Sequence, residues 1–159
     1  MVTPEAPLAT VRRAAAKGAG QQVGARPVAN RAPPLHVAAP RRVLLIEDDF
    51  MLRQHMAELL AAEGYNVSSA ADGADALWLL EREALPGAII LDIVLPRMNG
   101  ITFREVQLQS PILRDIPTIV VSATSKQLDL DSLGFTAIIA KPAPFEKLAE
   151  ALAKLWPTS

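Results

Sequence analysis

Three consecutive acids, Glu47, Asp48 and Asp49, directly follow the apolar residues 43–46. Carboxylates held this close repel one another, so their pKa values rise unless a cation joins them. Oxygen ligands suit a hard divalent ion, and Mg²⁺ typically takes one or two carboxylates, several waters and a phosphate oxygen. An acidic run after an apolar run is also typical of a helix N-terminus, where the helix dipole favours negative charge. The run by itself therefore leaves both a metal site and a helix start open.

Three more polar residues follow apolar runs: Asp92 after AIIL, Ser122 after TIVV and Lys141 after AIIA. An acid in such a place is costly to bury without a partner, and Lys141 is its natural complement. An aspartate beside Mg²⁺ can attack a phosphoryl group, whose oxygens then need positive charge and hydrogen-bond donors. Lys141 offers the charge and Ser122 a hydroxyl, which indicates an aspartyl-phosphate site. The alternatives are a purely structural Asp92–Lys141 ion pair and a capping role for Ser122.

Strand and helix patterns alternate five times beyond residue 42. Uniformly apolar strands are expected where helices cover both faces of a parallel sheet, so we predict a doubly wound α/β fold with five parallel strands. Ligands bind outside the carboxyl ends of the strands in such sheets, which places the polar residues above on one rim. The predicted strands are RVLLI, YNVSSA, AIILDIVL, PTIVVSA and FTAIIAKP, and SKQLDLDSLG is predicted to be a weak, short fourth helix. Met51, Met56 and Trp78, at helical spacing, are predicted to fill the core, and Asn99-Gly100 to be a turn.

Composition divides the chain in two. Residues 1–42 carry seven Lys or Arg and one acid, whereas residues 43–159 carry nine Lys or Arg and sixteen acids. Residues 1–40, rich in Ala, Pro, Gly and Arg, are predicted to be a disordered basic arm, and residues 41–157 to be the folded domain. The arm is interpreted as a linker or an over-long start of the reading frame, and the alternative is weak binding to nucleic acid or an anionic surface. No direct nucleic-acid binding is expected, since nothing resembles a recognition helix.

The absence of cysteine excludes a disulfide scaffold, thiol catalysis and thiolate metal sites. No apolar run approaches the ~20 residues of a membrane span, and the N-terminus has no continuous apolar region typical of a secretory signal. No membrane association is therefore expected, and a cytoplasmic location is the expectation.

Four motifs in order, LLIEDD, ILDIVLPRMNG, VVSAT and IIAKPAPFEKL, resemble the response-regulator receiver domains of bacterial two-component signalling. The resemblance covers residues 42–156 and implies a flavodoxin-like sheet of order 2-1-3-4-5. It implies a signalling protein that assists its own phosphorylation and dephosphorylation rather than an enzyme acting on a separate substrate. Its expected cofactor is Mg²⁺, and its expected partner is a histidine kinase or a histidine phosphotransfer protein. Because only two residues follow Trp156-Pro157, we expect a single-domain regulator that signals through protein contacts or onward phosphotransfer.

The resemblance also assigns roles to individual residues. Glu47 and Asp48 match the metal-site pair of the family, a register that Arg53 in EDDFMLR favours over one using Asp49. The full set that it implies is the phospho-acceptor Asp92, the metal ligands Glu47, Asp48, Asp92 and the backbone carbonyl of Val94, the phosphate contacts Lys141 and Ser122, and a cis Lys141–Pro142 bond.

Two departures from the family affect the expected readout. Ile138 stands where a Tyr or Phe usually turns inward on phosphorylation, and the segment between Ser122 and Lys141 is a few residues short. The fourth helix, fifth strand and final helix form the usual contact surface for downstream proteins, which we call the output face. These departures keep a phosphorylation-independent scaffold open as an alternative. A haloacid-dehalogenase-like phosphatase is disfavoured, because its second Asp would stand at Val94.

Overall fold

The computed structural model describes residues 39–123 and 129–157 of the chain. The prediction of a disordered arm lies outside the described residues, apart from residues 39 and 40. Part of the predicted fourth helix, residues 124–128, lies outside them as well.

The described residues form a five-stranded parallel sheet with helices between successive strands. The sheet has the order β2-β1-β3-β4-β5, which confirms the predicted order. The strands are β1 Arg42–Ile46, β2 Asn66–Ala70, β3 Ala88–Leu91, β4 Thr118–Ser122 and β5 Ala137–Ala140. The helices are α1 Phe50–Ala62, α2 Gly73–Arg82, α3 Gly100–Gln109 and α4 Phe145–Ala153, and a short 3₁₀ helix spans Asp131–Leu133.

Both faces of the central strands β1, β3 and β4 are buried, as their apolar residues require, whereas the edge strands β2 and β5 are only partly buried. Alternate residues of β1 point to opposite faces, so Val43 and Leu45 join one hydrophobic cluster while Leu44 and Ile46 join another. The first cluster includes Leu148 and Leu152 of α4. The central strands are therefore held between helices on both sides, which fixes the rim formed by their carboxyl ends.

Polar caps begin the first three helices. The Asp49 side chain caps α1 by accepting a hydrogen bond from the backbone N–H of Leu52 at 3.0 Å. Asp72 caps α2 and Asn99 caps α3 in the same way. The helix-start interpretation of the acidic run therefore applies to its third member, and the first two members remain available for the rim.

Several sequence-based expectations were wrong in detail. β3 ends at Leu91 rather than continuing through residue 95, because the chain turns into a loop at Asp92. Met51 is 72% exposed and Trp78 55% exposed, so neither fills the core, although Met56 does pack against it. Within the described part of the predicted fourth helix, only the three-residue 3₁₀ helix is present.

None of the helices in the described part of the chain is both long enough and apolar enough to span a membrane.

Candidate functional site

The site begins where the central strands end. Directly after β1, the backbone N–H of Glu47 donates to the carbonyl of Ala70 at 3.1 Å. Directly after β3, the backbone N–H of Asp92 donates to the carbonyl of Ile46 at 3.0 Å. These bonds extend the strand pairing by one residue on each side of β1. Glu47 and Asp92 therefore lie next to each other at the carboxyl edge of the sheet.

Lys141 joins the two acids from the end of β5. Its Nζ donates to Glu47 Oε2 at 2.9 Å and to Asp92 Oδ2 at 2.8 Å. Both carboxylates are buried, with 3% of Glu47 and 6% of Asp92 exposed, so the ammonium compensates two negative charges that have little access to water. The Lys141–Pro142 bond is cis, as the family resemblance implied.

Burial and pairing shift the pKa values of Glu47 and Lys141. Burial raises the pKa of Glu47 above its ordinary value, an effect that the hydrogen bond from Lys141 only partly offsets. Burial alone would lower the pKa of Lys141, but its hydrogen bonds to Asp92 and Glu47 outweigh burial and raise that pKa. Lys141 therefore remains a cation over the whole physiological pH range.

A third carboxylate completes an acidic cluster. Glu47, Asp48 and Asp92 each place one carboxylate oxygen so that these atoms lie within 4.8 Å of one another. Asp48 is exposed while the other two are buried, which leaves one side of the cluster open to solvent. Three oxygen ligands with an open side fit a hard divalent cation such as Mg²⁺, whose remaining positions are usually taken by water and phosphate oxygen.

Val94 lies beside this cluster. Its backbone N–H donates to Asp92 Oδ1 at 3.1 Å, which holds the loop after β3 against the aspartate. Its side chain is 57% exposed and reaches into solvent rather than into the cluster. The Val94 side chain therefore does not enter the acidic cluster, and the backbone carbonyl of Val94 remains a predicted metal ligand.

Ser122 and Ile138 are the two predicted switch positions. Ser122 is fully buried at the end of β4, and its backbone carbonyl accepts from the N–H of Lys141 at 3.1 Å. Ile138 pairs with Val120 across β4 and β5 and is 40% exposed. The serine therefore adjoins the lysine through the backbone, whereas the isoleucine occupies a partly open surface of β5.

Gly100 has a role that its interpretation as part of a turn missed. It is the first residue of α3, and a Cβ there would lie 2.4 Å from the carbonyl oxygen of Asp92 and 2.7 Å from the Cα of Ile93. Because both of those atoms belong to the backbone, only glycine allows α3 to approach the loop after β3 this closely. A glycine directly after a helix-capping Asn was the available signal.

Sequence reasoning also missed the anchor of the loop after β3. Arg97, at a φ of 57°, donates through Nε to Asp72 Oδ2 at 2.6 Å and through Nη2 to Asp75 Oδ1 at 2.9 Å. Burial by itself raises the pKa of Asp72, but the backbone N–H of Asp75 and the Arg97 guanidinium outweigh burial and hold that pKa below its ordinary value. The loop that carries Val94 is thus tied to the start of α2.

Residues 43–153 match the sequence model of the response regulator receiver domain. The chain therefore belongs to the receiver-domain family of response regulators. Among curated relatives, it is 36% identical over 120 residues to the transcriptional regulatory protein PdtaR of Mycobacterium tuberculosis, covering 72% of this chain and 56% of PdtaR. It is 32% identical over 111 residues to the response regulator MprA of Mycobacterium leprae, covering 67% of this chain and 47% of MprA. The chain thus spans about half the length of these relatives.

Solved structures show the same fold. The chemotaxis response regulator CheY4 of Vibrio cholerae superposes with a TM-score of 0.67 at 27% identity, covering 74% of this chain and 99% of CheY4. The response regulator TrrA of Thermotoga maritima, solved in complex with Mg²⁺-BeF, superposes with a TM-score of 0.64 at 28% identity, covering 72% of this chain and 98% of TrrA.

Proposed function

We propose that this chain accepts a phosphoryl group on Asp92 from a histidine kinase or a histidine phosphotransfer protein. One observation carries the proposal: Lys141 Nζ donates to both Asp92 and Glu47 at the solvent-facing rim where Asp48 completes the acidic cluster. A purely structural ion pair needs no third carboxylate, whereas a site for a metal and a phosphoryl group does.

In this proposal an Asp92 carboxylate oxygen attacks the phosphorus, and the phosphorus–nitrogen bond of the donor phosphohistidine breaks as the new phosphorus–oxygen bond forms. Glu47, Asp48, Asp92 and the Val94 carbonyl would hold Mg²⁺, which would supply positive charge to the phosphoryl oxygens. Lys141, which contacts the Asp92 carboxylate before transfer, lies within reach of the phosphoryl oxygens afterwards and stabilises their charge.

The readout in this proposal starts at Ser122 and Lys141. The phosphoryl group draws the Ser122 hydroxyl toward Asp92, and the chain after β4 follows, which biases the output face between two arrangements. Because Ile138 has no hydroxyl and no ring, this shift acts through packing at β5 rather than through a turning aromatic side chain. The signal then passes to a protein bound at the output face, or the phosphoryl group passes on to a histidine.

The second candidate function is a scaffold that is never phosphorylated. Two observations favour it: Ile138 at the usual aromatic position, and the short 3₁₀ helix in the described part of the fourth helical segment. A scaffold does not need Mg²⁺, so a Mg²⁺ titration would leave the fluorescence of Trp78 and Trp156 unchanged.

The experiment that tests phosphorylation is intact-mass measurement after incubation with acetyl phosphate. The proposal expects a phosphoryl adduct on the wild type that requires Mg²⁺ and is lost in Asp92→Asn. Glu105→Gln, on the exposed surface of α3, is the matched control for a single acid-to-amide change and keeps the adduct. An adduct that persists in Asp92→Asn contradicts the proposal.

A further inference from the structure

Arg53 contacts the acidic pair through the backbone rather than through the carboxylates. From the first turn of α1, its Nη1 donates to the carbonyl oxygen of Glu47 at 2.7 Å and to that of Asp48 at 3.3 Å. Its guanidinium also lies over the Phe50 ring, 5.5 Å from the centroid. The phosphoryl-transfer chemistry described above gives this arginine no role.

The contacts of Arg53 complete a set of bonds around the Glu47–Asp48 peptide. The Glu47 N–H is held by Ala70 on β2, and the Glu47 carboxylate accepts from the N–H of Asp49 at 3.2 Å. Hydrogen bonds from a charged donor are roughly twice as strong as those between neutral groups. The arginine on α1 therefore holds both carbonyl oxygens.

We propose that Arg53 is a positioning residue for metal binding. By holding both carbonyls, it orients the Glu47–Asp48 segment so that the two carboxylates approach Asp92. This inference rests on the proposed function, in which these carboxylates bind Mg²⁺.

The positive charge of Arg53 and its positioning effect should change Mg²⁺ affinity in opposite directions. A guanidinium near a cation site repels Mg²⁺, so an arginine that acted by charge alone would weaken metal binding. Its replacement by neutral glutamine would then tighten Mg²⁺ binding, whereas loss of positioning loosens it. The sign of the change separates the two effects.

The experiment measures the Mg²⁺ dissociation constant of the full chain by isothermal titration calorimetry. Arg53→Gln removes the charge together with the charged Nη1 donor, while Arg53→Lys keeps the charge but removes the guanidinium whose Nη1 makes both hydrogen bonds. We expect both variants to bind Mg²⁺ about 10-fold more weakly, the lower end of what loss of a group supporting metal ligands costs. Arg82→Gln is the matched control, because Arg82 stacks on the exposed Trp78 ring 4.2 Å away and should leave the constant unchanged.

Each outcome has one interpretation. Wild-type or tighter binding by Arg53→Gln overturns the inference and leaves the proposed function standing. If Arg53→Gln does not fold, wild-type affinity in Arg53→Lys overturns the inference instead. Absence of Mg²⁺ binding by the wild type contradicts the metal site itself, and the inference falls with it.

Discussion

Lys141 Nζ lies 2.8 Å from Asp92 Oδ2, although the two residues are 49 positions apart in the chain. The contact forms because β3 and β5 flank β4, and both residues directly follow their strands. Lys141 also donates to Glu47, so a single cation compensates two buried carboxylates when no metal is bound. In the proposed function, the same ammonium contacts the phosphoryl group on Asp92.

Removal of that ammonium should destabilise the metal-free protein. Lys141→Met leaves Glu47 and Asp92 buried without their cation, and breaking a fully buried pair in this way costs roughly 3–5 kcal/mol. Because the Lys141 side chain is 24% exposed, we expect a loss at or somewhat below the lower limit of that range, about 2–3 kcal/mol. Urea unfolding in the presence of a chelator measures the loss.

Mg²⁺ should stabilise Lys141→Met more than it stabilises the wild type, because the metal restores positive charge to the cluster. Lys147→Met, on the exposed side of α4, is the control and should unfold like the wild type. Equal stability of Lys141→Met and wild type under chelation would show that the lysine does not compensate the buried charge.

The anchor between Arg97 and Asp72 should make stability depend on pH. The pKa of Asp72 is lowered in the folded state, so its contribution is present above the unfolded pKa of about 4 and is lost as pH falls through the lower folded pKa. Arg97→Ala removes part of this contribution. The left-handed backbone at this position strains alanine and arginine alike, so the substitution adds no backbone effect of its own. We expect the melting temperatures of Arg97→Ala and wild type to differ most near neutral pH and to converge in acid.

Thermal melts between about pH 3 and pH 7 test this convergence around the ordinary Asp pKa. Arg114→Ala is the control, because the ion pair of Arg114 with Asp115 is exposed and spans 4.0 Å. A difference between Arg97→Ala and wild type that stays constant across this range would contradict the sign of the Asp72 shift.

Arg104 is a buried cation bonded mainly to neutral oxygens. Its Nε donates to the carbonyl of Leu133 at 3.0 Å and its Nη2 to that of Gly134 at 2.8 Å, while Nη1 reaches the Gln107 and Thr118 side chains. Burial lowers the pKa of Arg104. Arg104→Met removes the donors of these buried acceptors, for which we expect a loss of about 2 kcal/mol.

The loss in Arg104→Met should concentrate where α3 is tied to the chain before β5. Hydrogen exchange of residues 130–136 should therefore accelerate more than that of β1, and Glu105→Met, exposed on the same helix, should leave both unchanged. Uniform acceleration across the sheet would mean that Arg104 supports the whole fold rather than this segment.

Gly100 should tolerate no side chain. A Cβ in Gly100→Ala meets the backbone of Asp92 and Ile93, which cannot move without displacing the Asp92 side chain. We expect a loss of about 1–3 kcal/mol in unfolding free energy, together with slower phosphorylation by acetyl phosphate.

Gly73→Ala is the matched control for Gly100→Ala, since Gly73 also begins a helix after a polar cap. There the new Cβ mainly meets the flexible side chain of Met98, so both effects should be smaller. A Gly100→Ala protein no more impaired than Gly73→Ala would contradict the close approach of α3 to Asp92.

The rim of the site could be predicted because it depends on local pattern and one topological rule. Apolar runs mark the strands, and the residues directly after them must meet at one edge of a parallel sheet. Glu47, Asp92 and Lys141 follow such runs, and the structure brings them together. Local pattern alone left Asp49 ambiguous, since an acid at that place can cap a helix or face the rim. The family register favoured Glu47 and Asp48 for the rim, and the structure shows Asp49 capping α1.

Features that depend on how distant segments meet could not be predicted. Arg97 and Asp72 are 25 residues apart, and nothing in either neighbourhood shows that a left-handed arginine will reach the cap of α2. Met51 and Trp78 have helical spacing, but spacing alone does not give the rotation of each helix about its axis, and both face solvent. The length of β3 was overestimated because the apolar loop residues after Asp92 resemble strand residues.

Reduction of the phosphorylated protein with borohydride, followed by peptide mapping, tests directly whether Asp92 carries the phosphoryl group. Borohydride converts an aspartyl phosphate to homoserine and so marks the residue that carried the phosphoryl group. We expect homoserine at position 92 after incubation with acetyl phosphate and Mg²⁺, and unmodified aspartate there when Mg²⁺ is withheld. Homoserine at Asp48 or Asp49 with aspartate retained at position 92 would contradict this expectation.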